Sequence, residues 1–147
     1  VSTKYLKEQK GFTLLELLIV IVIIGILALL IIPNITSAPK KARDTQRKTD
    51  LTTIRKGLEE YYVNNNSYPA ALSALEAVGT GPIMKDVPDD PKNTGVLVYT
   101  YTEGTPANGY TLKACLENAG DSGANVATDA ACTAPAGGKA FTLTNAN

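Results

Sequence analysis

The sequence predicts an α+β fold in which the second half of a long N-terminal helix lies on a small antiparallel sheet of about three strands. Three observations carry this. Residues 12–32 form an apolar run in which only Thr13 and Glu16 bear polar side-chain atoms. Leu51, Ile54, Leu58 and Tyr61 then recur at helical spacing and make one apolar stripe, with Tyr62 beside it. Further on, Tyr110, Leu112, Ala114 and Leu116 alternate with Thr111, Lys113, Cys115 and Glu117, which is the period of a half-buried strand.

Residues 1–11 read as a short basic leader carrying Lys4, Lys7 and Lys10 against Glu8. As a helix, the apolar run that follows would be about 30 Å long, which matches the hydrocarbon core of a bilayer. Ile, Leu and Val face every side of it, so lipid or the interior of an assembly must solvate it. Glu16 breaks the pattern. An ionised carboxylate at membrane depth costs about 2.5–3.5 kcal/mol even on insertion scales, so it requires a partner. The neighbouring sequence offers no base on the apolar side. A plain single-span anchor with a stray acid is the alternative.

Gly25 and Pro33 interrupt the run and its exit. Glycine lowers helix propensity by about 1 kcal/mol, and proline removes one hydrogen bond. The stretch between them can therefore loosen at modest cost. In the isolated subunit a continuous, curved helix is expected over residues 12–39, with Pro39 as a second bend point. An ordinary secretory signal has an apolar region of about 7–15 residues, shorter than this one. Its nearest small-residue site, Thr36-Ser37-Ala38, is followed by Pro39, and no cysteine follows the span for lipoprotein processing.

From residue 41 the helix is expected to continue, giving one rod of about 50 residues that is first lipid-facing and then half-buried. Arg43, Arg47, Lys48, Asp50, Arg55, Lys56, Glu59 and Glu60 fill its remaining, solvated surface. Asn64-Asn65-Asn66-Ser67-Tyr68-Pro69 ends it, since asparagine runs and proline favour turns. A short helix follows over residues 70–78 with Leu72, Leu75 and Val78 inward, broken at residues 79–82. Residues 82–95 form an ordered loop rich in proline and aspartate.

Residues 95–102 and 110–117 are the first two strands, and residues 140–144 supply a third. Two strands alone are marginal, so the apolar face of the second should lie on the stripe of Leu51, Ile54, Leu58 and Tyr61. Residues 120–138 are small, polar and glycine-rich. Cys115 and Cys132 are the two cysteines of a chain without histidine, which argues for a disulfide in an oxidising compartment. Two unrelated free thiols are the alternative. A bridge would close the glycine-rich loop on the outside of the sheet and stabilise the domain by about 3 kcal/mol.

The formal charge is zero but unevenly spread: +2 over residues 1–10, +5 over residues 40–56 and −6 over residues 57–147. The basic collar has three readings: a solvated face that also meets lipid headgroups, a contact with the acidic head of another subunit, and a nucleic-acid contact. No aromatic interleaving supports the third. Asp86, Asp89 and Asp90 offer oxygen ligands at close spacing but lack the glycine-hinged order of a calcium loop, so no metal and no cofactor is expected.

The segment Lys10-Gly11-Phe12-Thr13-Leu14-Leu15-Glu16, with its apolar helix, Gly25 and Pro33, resembles the start of type IV pilins and the related pseudopilins of type II secretion. The Tyr68-Pro69 close of the helix and the run from Val98 to Asn118 resemble the same family further along. The resemblance implies a lollipop-shaped pilin fold with a leader at 1–11, a filament-core helix at 12–39 and a globular head at 40–147. Within the head it gives a half-helix at 40–64, loops at 65–94 and a sheet with its closed loop at 95–147. It also implies a history. Prepilin peptidase would cut between Gly11 and Phe12 and methylate the new Phe12 amine, and an inner-membrane assembly platform would lift the chain into a filament. There, Glu16 would meet the Phe12 amine of a neighbouring copy, and the helix would loosen between Gly25 and Pro33. The expected path is from single-pass precursor in the inner membrane to extracellular filament, with the head outside the cytoplasm.

No catalytic constellation is present: no histidine, no phosphate-cradling glycine loop after a strand and no spare thiol. The chain reads as a peptidase substrate rather than an enzyme. Three functions remain, the first being the main reading that the resemblance implies and the other two its alternatives. The first is a subunit of a type IV pilus used in adhesion, motility or DNA uptake. The second is the major pseudopilin of a type II secretion system. The third is a membrane-anchored binding domain that never polymerises.

Overall fold

In the computed structural model, residues 11–35, 37–76, 81–104, 109–133 and 136–145 are described. The chain divides into two units, Val1–Thr36 and Ser37–Asn147. The first contains helix α1, Leu14–Ile35, which runs without a break through Gly25 and Pro33. Phe12 is 87% exposed, and the large apolar side chains of α1 from Leu14 to Ile31 stay open. An 18-residue stretch, Leu14–Ile31, is long and apolar enough to cross a membrane by length and composition.

Helix α2, Ala38–Asn65, opens the second unit. The rod expected from the sequence is thus two helices. Pro39 stands at the start of α2, where its missing N–H costs nothing, and Ser37 takes the cap position. The far end of α2 closes at Asn66, whose left-handed backbone (φ 56°) lets its amide reach the Tyr62 carbonyl at 2.7 Å. The predicted short helix is a 3-10 turn, Leu72–Leu75, with Leu75 fully buried. Val78 lies outside the described residues.

The sheet has four antiparallel strands: β1 Tyr99–Glu103, β2 Tyr110–Leu116, β3 Val126–Thr128 and β4 Lys139–Thr144, in the order β1-β2-β4-β3. β1 starts later than the sequence suggests. Gly95 adopts φ 59°, and Thr94 and Leu97 exchange backbone hydrogen bonds, so residues 94–97 make a tight turn before the strand. β3 is the strand not foreseen. It forms inside the glycine-rich stretch, where Val126 pairs with Phe141 and Thr128 with Lys139.

Register places Tyr101, Leu112 and Leu143 in one row and Tyr99, Ala114 and Phe141 in the next. These side chains pack on Leu51, Ile54 and Leu58 of α2, so the predicted stripe is the helix side of the core. Gly57 lies within that stripe because a Cβ there would stand 2.7 Å from the Met84 sulfur. At the upper end, Glu59 accepts hydrogen bonds from the Tyr68 and Tyr110 hydroxyls, both at 3.0 Å, and Tyr68 stacks on Tyr62. A second cluster, on the other face of the sheet, gathers Leu97, Cys115, Cys132 and Ala140.

Candidate functional site

The start of α1 holds the residues that the motif singles out. Gly11 and Phe12 precede the helix and are exposed. Thr13 caps it. Its hydroxyl donates to Glu16 Oε2 at 2.8 Å, its amide donates to the same oxygen at 2.9 Å, and the Glu16 amide donates to Thr13 Oγ1 at 3.2 Å. This is a reciprocal capping box, in which two amides that a helix start leaves unpaired are satisfied by two side chains. Glu16 therefore has a partner within its own chain. The threonine three residues before a glutamate, ahead of an apolar run, is the signal that could have found it. The arrangement leaves Glu16 on an exposed helix start, one turn after Phe12. Gly25 lies in open surroundings within α1, and the side chain of Pro33 lies outside those described.

The head holds the chain's other charged centre, and here the sequence reading is corrected. The collar pattern predicts a solvated Arg47, yet it is fully buried. Its position explains this, since it lies one turn before Leu51 on the core face of α2. Its guanidinium makes a bidentate pair with Asp90, at 2.6 and 2.9 Å. The remaining nitrogen donates to Asp44 at 2.8 Å and to Glu117 at 2.9 Å. Arg43 grips both oxygens of Glu117, at 2.7 and 2.8 Å, and Lys92 reaches Glu117 at 3.0 Å. Asp44 in turn accepts the Glu117 and Asn118 amides, each at 2.9 Å. Lys48 also leaves the solvated face and binds Asp121 at 2.6 Å.

Three cations and three carboxylates thus balance, and no buried side-chain polar atom among the described residues is left unpaired. The hydrogen bonds from Arg43 hold the Glu117 carboxyl well below the usual carboxylate range against the opposing effect of burial, with Arg47 and Lys92 adding to it. Burial pushes the Asp90 carboxyl up, but the Arg47 guanidinium and the Lys92 and Asn93 amides overcome this and leave it lowered. Asp90 is also one of the three aspartates weighed for calcium, and its oxygens are committed to Arg47. Among the described residues no group of His, Cys, Asp and Glu is arranged to hold a metal.

Cys115 and Cys132 are joined, with Cα atoms 5.3 Å apart. The bridge lies on the face of the sheet away from α2, under the loop that it closes. The collar has thereby split: Arg43, Arg47 and Lys48 act within the fold, while Lys40, Lys41 and Lys56 remain exposed.

Comparison with known proteins agrees with both ends of the chain. Residues 6–32 match the family model of the prokaryotic N-terminal methylation motif. Residues 34–130 match that of type II secretion system protein G. Among curated relatives, type II secretion system core protein G of Escherichia coli is 32% identical over 117 residues, covering 80% of this chain and 77% of that protein. The Pseudomonas aeruginosa core protein G is 37% identical over 91 residues, 62% of this chain and 64% of the relative. The type IV wide pilus major component PilA4 of Thermus thermophilus is 47% identical over 74 residues, 50% of this chain and 56% of the relative. The chain thus spans between about half and three quarters of the length of these relatives. With a methylation-type start, a core helix on an antiparallel sheet and a match over most of the head, the chain belongs to the type II secretion system protein G family of pilin-like subunits.

Proposed function

We propose that this chain is the repeating subunit of a pseudopilus-type filament of the type II secretion kind. Membership of the family implies a structural subunit that is processed at a prepilin motif and assembles into pilus or pseudopilus filaments. The finer choice rests on the relatives, most of which are core protein G, and on the protein G match across residues 34–130. In this reading residues 1–11 are the leader, residues 12–39 the filament-core helix and residues 40–147 the head. Prepilin peptidase cuts after Gly11 and methylates Phe12, and an assembly platform in the membrane draws the chain out of the bilayer.

Glu16 is central to the mechanism. In the free subunit its carboxylate caps its own helix through Thr13. In the assembly it exchanges that contact for the Phe12 amine of a neighbour, a charge pair in a low-dielectric bundle that also fixes the register of one helix on the next. Gly25 and Pro33 mark the segment that loosens on packing.

A type IV pilus subunit is the second reading, favoured by the 47% identity to the Thermus pilus component. The test is Glu16→Ala in the native cell, scored by membrane fraction, sheared surface filaments and secreted hydrolases. The expected result is normal membrane insertion with filaments lost and secretion abolished. Loss of surface pili with intact secretion selects the pilus reading, and wild-type filaments in the variant overturn both. N-terminal sequencing of the mature protein should begin at methylated Phe12.

A further inference from the structure

The end of β2 is clamped from both faces of the sheet. On the helix side, Asp44 accepts the Glu117 and Asn118 amides, and the Glu117 carboxylate closes on Arg47. On the opposite side, Cys115 is bonded to Cys132, and Leu116 accepts the Gly137 amide at 2.6 Å. Gly137 approaches so closely that a Cβ there would stand 2.5 Å from the Ala119 nitrogen. A single residue, Leu116, separates the bridge from the cage. Cys132 is fully buried and Cys115 is 6% exposed, so the closed head presents little of either cysteine to a reductant.

We propose that the Cys115–Cys132 bridge and the Arg47 cage form one cooperative lock on the end of β2, so that the cage closes stably only after the two thiols are joined. Joining them releases two protons and two electrons to a disulfide-bearing oxidant by thiol–disulfide exchange. Without the bridge, the glycine-rich loop is held to β2 by the Gly137–Leu116 backbone hydrogen bond and the partly exposed Lys113–Asp129 ion pair, and opens as a local unit. Opening withdraws Glu117, and a buried ion cluster that has lost one member is penalised. The cage therefore opens with the loop. In the other direction, a closed cage holds the β2 end against the loop and shields the bridge. Reduction then proceeds no faster than the cage opens. This lock concerns the head alone and stands whichever filament the chain enters.

The experiment uses the full chain in detergent micelles, with reduction by dithiothreitol trapped by alkylation and read by mass. Glu117→Gln is expected to speed reduction at least about tenfold, whereas Glu59→Gln, at the tyrosine end of the head, stays within about twofold of wild type. Unchanged rates in Glu117→Gln, or equal acceleration by both, overturn the proposal. The converse readout is amide exchange in the Cys115→Ser/Cys132→Ser variant. Exchange at Glu117 and Asn118 should rise at least about tenfold while Ile54 and Leu58 stay protected. Retained protection at 117 and 118, or loss of protection across the whole head, overturns it.

Discussion

Two glutamates, Glu16 and Glu117, sit in opposite surroundings, and so do the two units that carry them. Glu16 is satisfied by one hydroxyl and one amide of a residue three positions away. Glu117 is satisfied by three cations that come from α2 and from the loop before β1. The leucines around them differ in the same way: Leu18 of α1 is 51% exposed, whereas Leu51 of α2 is fully buried. The head encloses its apolar and charged groups with its own chain. α1 satisfies its glutamate locally but leaves its apolar side chains through Ile31 open. Stability of the head is therefore a property of one chain, and the fate of α1 is a property of its medium.

The sharpest way to break this contrast is to remove Arg47. Arg47→Ala leaves Asp44, Asp90 and Glu117 facing one another without their shared cation, and should destabilise the head by about 3–5 kcal/mol. Urea unfolding of the full chain in micelles measures it, and a change below about 1 kcal/mol would refute the cage as a buried charge cluster. Next, Leu51→Ala should cost about 2–5 kcal/mol in the same measurement, whereas Leu18→Ala should leave head unfolding unchanged. Equal costs would mean that the two units are not separate in kind.

A pH series sharpens the comparison of the glutamates. Glu117 and Asp90 are held below their unfolded values, so the unfolded chain binds more protons once pH falls through about 4. Their stabilisation is full above that range and is lost as pH falls toward the folded-state values. The urea midpoint should be flat from about pH 7 to 5 and decline below about 4, with a shallower decline in Glu117→Gln. A decline of the same steepness in the variant would assign acid sensitivity to other carboxylates. The smallest effect is expected at Thr13. Thr13→Ala should fray the first turn of α1 by about 1 kcal/mol, seen as faster amide exchange at Leu15 and Glu16 with the head unaffected.

Much of the fold could be read from pattern. The stripe of Leu51, Ile54 and Leu58, the alternation from Tyr110 to Leu116 and the strand near Phe141 each express a local period that maps directly onto one face of one element. β3 escaped because a three-residue strand has no period to detect. It exists since β4 offers Phe141 and Lys139 a free edge beside it. The single rod escaped for a subtler reason: Pro39 is equally compatible with a bend inside one helix and with the first turn of a new one. The capping box at Thr13 and Glu16 is legible in the sequence as a threonine three residues before a glutamate, ahead of an apolar run.

What the sequence alone determined is local: an apolar span, a methylation-type start, an amphipathic helix and alternating strands, each set by residues a few positions apart. Only the tertiary structure decided that Arg47 is inside and Lys41 outside, and that the Asp90 carboxylate pairs with Arg47. The physical reason is range. Hydrophobic periodicity is written within a turn or two of chain, whereas the cage joins carboxylates 43 and 70 residues away from their arginine, and no period links such distances.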